Sequence, residues 1–123
     1  MTVKLWDVYR VPNCRHSDPP KDKFVVIACF DPGAHGFFIN SEVNAYYRLV
    51  KQEHCFGSIP ASRHPFLRYD SFIDCTTLFP YLDAELVDLV GRLSAEAQSN
   101  VRKSVQACKI LKRRYKDLIL NQV

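Results

Sequence analysis

The sequence lacks any long hydrophobic run: the longest, Phe24 to Phe30, has seven residues, whereas a membrane-crossing helix needs about 20. Met1 to Arg10 shows no basic stretch followed by a leader-like apolar segment, so a soluble, cytoplasmic chain with no membrane partner is expected. Cysteine is scattered, at positions 14, 29, 55, 75 and 108, with no CxxC pair. An odd, dispersed set fits reduced thiols better than a disulfide framework, and Cys29, Cys75 and Cys108 sit in apolar patterns where a thiol packs as a small hydrophobe. Cys14-Arg15-His16 and His54-Cys55 come nearest to ligand clusters. Neither has zinc-site spacing, so no metal or other cofactor is expected. There is no Gly-rich phosphate loop, no GxSxG elbow, no HExxH helix and no internal repeat, which removes the commonest motif-borne enzyme classes.

What remains is globular. The 123 residues are 47% hydrophobic and 24% charged, with eight Phe, six Tyr and one Trp, enough for a single domain spanning 1–123 and too short for two cores. The charge is uneven. Residues 1–93 carry 10 Lys/Arg and 11 Asp/Glu, whereas residues 94–123 carry 7 and 2. A basic segment suits a phosphate-bearing or acidic partner, and serves equally as a solvated helix face.

Along the chain, 3–11 alternates with β-branched and aromatic residues and reads as a strand ending at Pro12. Residues 12–22 hold three prolines and no period, the mark of a loop. Phe24–Phe30 is a strand buried on both faces, and Asp31-Pro32-Gly33 turns it into a hairpin with a strand beginning at Gly36. Val43, Tyr46, Tyr47 and Val50 at helical spacing predict a short helix over 42–51 capped by Ser41. Brief strand character returns at 55–59. Residues 66–75 alternate as a half-exposed strand with charges outward. Residues 83–90 predict a short helix stopped at Gly91. Ser94 caps a long final helix whose stripe is Ala97, Val101, Val105, Cys108, Leu111, Tyr115 and Leu118. The expected fold is α+β and mainly β: a small curled sheet over 1–80, then helices over 83–120.

The layout resembles the MazF/PemK family of toxin endoribonucleases, relatives of CcdB and Kid. Trp6-Asp7-Val8-Tyr9-Arg10-Val11 is similar to the family's opening strand and Lys23-Phe24-Val25-Val26-Ile27-Ala28 to its second. Asp70-Ser71-Phe72-Ile73-Asp74-Cys75 resembles a late strand, and Gly91-Arg92-Leu93-Ser94-Ala95-Glu96 the start of the last helix. Trp6 stands where the family has glycine, and Lys23-Phe24 where it has arginine and proline. The resemblance implies an SH3-like β-barrel with a C-terminal helix, a homodimer, a single-stranded RNA substrate cut without metal, and an acidic antitoxin partner.

Such cleavage uses the RNA's own 2′-hydroxyl as nucleophile, so the protein must supply a base, an acid and positive charge. By resemblance and loop position the candidates are Lys23, Ser41, His64 and Arg68 for catalysis, with His16, Lys21 and His35 binding RNA. Each has a plainer role available: Ser41 as a cap, His64 bonded to a turn, Arg68 paired with Asp70 or Asp74, and Lys21 and Lys23 balancing Asp18 and Asp22. The alternative function is a non-catalytic interaction module that presents Tyr46, Tyr47, Phe66 and Tyr69 with the basic tail to a protein or nucleic acid.

Overall fold

A computed structural model describes residues 2–41 and 53–122. Six strands, β1 (Asp7–Cys14), β2 (Lys21–Phe30), β3 (Ala34–Asn40), β4 (Phe56–Ile59), β5 (Ser71–Pro80) and β6 (Leu89–Arg92), are followed by helices α1 (Ala95–Ala107) and α2 (Arg113–Leu120). The strands form one curled antiparallel sheet in the order β4-β5-β3-β2-β1-β6. This is the expected α+β architecture. The helix expected over 42–51 lies outside the described residues.

The apolar run of β2 is explained by two cores. Val26 and Ala28 join Trp6, Val8, Phe37, Ile59 and Ile73 beneath Ala97, Val101 and Val105 of α1 and Ile119 of α2. Val25 and Ile27 point the other way, into a smaller cluster with Tyr9, Val11, Tyr81 and Leu86. With a side-chain period of two, both faces of a strand must be apolar when both are covered.

Several boundaries differ from expectation. β1 runs through Pro12 to Cys14, because the register shifts between Val11 and Cys14; a bulge tolerates a residue with no N–H. Asn13 there takes φ 45, which Asn accepts more readily than most residues. The strand expected at 66–75 is displaced to 71–80. Leu67 N–H closes a turn on the His64 carbonyl and Asp70 accepts from Ala61 N–H, which holds 60–70 as a loop. The helix expected over 83–90 is instead one 3-10 turn, Asp83–Glu85, and then β6. β1 offers an open edge, Arg10 N–H bonds the Asp88 carbonyl, and ladder pairing with β1 takes the segment. Gly91 is therefore a strand residue, under the ring of Phe66.

Ser94 does cap α1, its hydroxyl accepting from Ala97 N–H. The expected single long helix breaks at Cys108, which is extended (φ −71, ψ 121) and disulfide-bonded to Cys55. This overturns the expectation of five reduced thiols; only Cys14, Cys29 and Cys75 are free, all buried. Residues 53 apart in sequence are brought together because α1 lies across β4. In the chain-entropy account a loop of that size stabilises by about 4 kcal/mol. Leu111 is buried, as the stripe requires, but in α2 the fully buried residue is Ile119, with Tyr115 and Leu118 at its margin. No helix among the described residues is long and apolar enough to cross a membrane.

Candidate nucleic-acid interface

The helices cover one face of the sheet, and on the other the cover is incomplete. Odd residues of β2 share that second face: Val25 and Ile27 lie under the 81–86 segment, while Lys23 and Lys21 emerge where it ends. Two hollows that share Lys23 open there, the smaller on the main-core side beside Phe24 and Ile39, the larger on the side of Phe38. The smaller, about 240 Å³, is lined by Lys23, Phe24, Ser41, Leu67, Arg68 and Tyr69. The larger, about 530 Å³, is lined by His16, Lys21, Lys23, Phe38, Asn40 and Asp74, with Asp22 and Ser41 common to both.

Lys23 is the hinge of the site. Its half-buried ammonium donates to Asn40 Oδ1 at 2.5 Å and lies 4.9 Å from the centre of the Phe38 ring. Burial, and then the neighbouring Lys21 ammonium, hold its pKa below the ordinary lysine value, partly offset by Cys14 and Asp74. Asp22, between the two lysines, pairs with Arg10 at 2.6 Å and accepts from Asn13 N–H. That backbone bond, helped by Arg10, keeps its carboxyl below the usual range. Asp74 accepts from the N–H and hydroxyl of Thr76. Arg68 is exposed and has no ion-pair partner among the described residues; it pairs with neither Asp70 nor Asp74.

The three other candidates divide. His16 belongs to the hollow: it stacks on Phe79 with centroids 4.6 Å apart, and Nε2 lies 2.7 Å from the Pro80 carbonyl oxygen. A carbonyl only accepts, so Nε2 carries the hydrogen and Nδ1 is the nitrogen left for a ligand. His35 lies elsewhere, buried at the far end of β3 with Nδ1 on the Gly33 carbonyl and its ring against Tyr115. Five residues separate it from Asn40, roughly 17 Å of strand. His64 is fully buried. Its Nδ1 sits 2.6 Å from the Pro60 carbonyl oxygen and its Nε2 accepts from Ser94 N–H at 3.0 Å. Both nitrogens are thus engaged in placing the cap of α1, and the ring touches neither hollow. Tyr69, named only for the interaction-module reading, lines the smaller hollow, and Asp74 and Asn40, which pattern reading did not single out as site residues, line the larger; only the β3–β5 pairing, Phe38 opposite Asp74, brings that carboxylate to the lysines.

The larger hollow can hold a phosphate beside Lys21 and Lys23 and a flat ring against Phe38, and the smaller a phosphate beside Arg68 and a ring against Tyr69. No group of three or more His, Cys, Asp or Glu suited to a metal ion exists among the described residues. No protein-family model matches the chain, and a search of curated proteins found no match.

Proposed function

We propose that the chain binds single-stranded RNA in these hollows and cleaves it without a metal ion, as the resemblance to MazF/PemK toxins on an SH3-like barrel implies. The observation that carries this is that Lys21, Lys23 and His16, from β2 and the 15–20 loop, line the larger hollow, while Lys23, Ser41 and Arg68 line the smaller one beside it, Lys23 and Ser41 belonging to both. In the reaction the 2′-oxygen attacks phosphorus and the 5′-oxygen leaves. His16 Nδ1 is the base that takes the 2′ proton. Lys23, its pKa lowered by burial, stabilises the phosphorane and returns a proton to the 5′-oxygen. Arg68 holds a flanking phosphate. The same reading carries an acidic antitoxin as partner, a homodimer and a cytoplasmic setting.

The alternative, binding without turnover, is favoured by one observation: His64, the other candidate acid, is committed to the fold. Incubating the protein with a long mixed-sequence RNA in EDTA and mapping fragment ends decides between them. Discrete cuts, reduced about a hundredfold or more in Lys23→Ala, support the ribonuclease. Intact RNA that remains bound by folded protein makes this an interaction module instead.

A further inference from the structure

The positive excess of the chain does not lie in the cleft. There Lys21, Lys23 and Arg68 are matched by Asp18, Asp22 and Asp74, so the cleft exerts little net pull on a polyanion. The excess gathers where α1 hands over to α2. A hollow of about 480 Å³ is lined there by Lys109, Arg113 and Lys116 together with Gln106 and Asp117, and Lys112 is exposed at its border. Among the described residues none of these four cations is ion-paired, whereas the adjacent Arg114 is held by Asp31 at 2.6 Å. Like charges gathered in a concavity repel one another, a cost that an anion between them removes.

The backbone presenting them is fixed. Cys108 is buried and cross-linked to Cys55, Leu111 is buried in the main core, and Lys116 Nζ reaches back to the Gln106 carbonyl at 3.4 Å. The connection between the helices therefore holds in place the backbone that carries these cations before any ligand arrives, which lowers the ordering cost of binding.

We propose that this hollow is a binding surface for the sugar–phosphate backbone of a nucleic-acid strand, separate from the cleft and supplying the electrostatic share of affinity. It needs no base readout, and it stands whether or not the cleft cuts RNA. Neutralising phosphates releases counterions, so the surface makes binding strongly salt-dependent and nearly indifferent to sequence.

The test uses the full chain and a labelled 2′-O-methyl RNA of about 12 nucleotides, which cannot be cut, titrated by anisotropy from about 50 to 200 mM KCl. The triple variant Lys109→Gln, Arg113→Gln, Lys116→Gln is expected to lower the slope of log K against log salt by about 2, some 0.7 per lost contact, and to weaken oligonucleotides of different sequence alike. A control triple at exposed cations elsewhere, Lys4→Gln, Arg63→Gln, Lys103→Gln, separates the site from net charge. Equal losses in the two triples, or an unchanged slope in the first, overturn the proposal. So does an oligoglutamate that competes as well as RNA of equal charge. Lys23→Met reports on the cleft: if it alters neither binding nor cleavage while the hollow triple still lowers the slope, the cleft reading fails and this one stands.

Discussion

His64 shows how a residue type with many chemical uses is assigned by its neighbours. A histidine whose ring is sealed from solvent, with one nitrogen donating to a carbonyl and the other accepting a backbone N–H, holds two segments of chain together. Removing it leaves a cavity and two unpaired backbone groups, so His64→Ala should cost about 3 kcal/mol in urea unfolding. At a temperature where the variant remains folded, any RNA cleavage that the parent shows under the proposed function should be nearly unchanged; a hundredfold loss there would return His64 to the chemistry. Trp6 is the complementary case. It takes φ 70, which glycine adopts freely and other residues at roughly 1–2 kcal/mol. Its indole is buried in the main core and stacked under the Arg102 guanidinium, 5.1 Å from the ring centre, and that burial offsets the backbone cost.

At the scale of elements, two glycines in strands meet different neighbours. A Cβ on Gly36 would lie 2.5 Å from Val25 Cγ1 and 2.7 Å from the Val26 carbonyl oxygen, at the centre of the sheet. The backbone of β2 cannot yield without breaking its ladder, so Gly36→Ala should destabilise by about 3 kcal/mol. A Cβ on Gly91 would meet the Phe66 ring at 2.7 Å. That ring belongs to a loop and is only half-buried, so it can turn aside, and Gly91→Ala should cost about 1 kcal/mol. Paired denaturation curves check the contrast, and equal midpoints would show that β2 gives way as readily as a side chain. The loops share this division between fixed and free: Asp70, with Ser71 at the start of β5, anchors the backbone of 60–70 while Tyr69 stays 63% exposed in the hollow it shares with Lys23.

For the whole molecule, the ties between distant segments are acid-labile. Arg114 hydrogen bonds lower the pKa of Asp31, fastening α2 to the β2–β3 turn. Arg15 does the same for Glu85, fastening the loop after β1 to the 3-10 turn before β6, and the Asn13 N–H does so for Asp22. Each carboxyl has a folded pKa below its unfolded one, so its contribution is complete above the unfolded value, near 4, and is lost as pH falls through the folded value. The share of stability that these carboxyls supply should therefore be complete above about pH 5 and decline below about pH 4, as a melting series would record. Asp31→Asn should remove part of that decline; a series unchanged by the substitution would mean that α2 is held by Ile119 and its apolar neighbours alone.

Periodicity in the chain was sufficient for the class of fold: the seven-residue apolar run of β2, the Asp31–Gly33 turn and the Ser94 cap are local signals, and all three stand in the structure. Lys21, Lys23 and His16, named by resemblance and loop position, line the larger hollow together, Lys21 and Lys23 because residues two apart on a strand share a face. What only the tertiary structure decided depends on contacts between residues far apart in sequence. The 83–90 segment has helical spacing, yet the open edge of β1 claims its last residues as part of a strand. Cys55 and Cys108 have no local signal of pairing until α1 crosses β4. His64 and His16 are the same residue type in similar proline-bounded loops, and the packing of α1 buries one while the edge of the second core leaves the other beside Lys23. Local pattern specifies which backbone conformation a segment prefers; free energy gained by burying distant segments against one another decides which side chains remain available for chemistry.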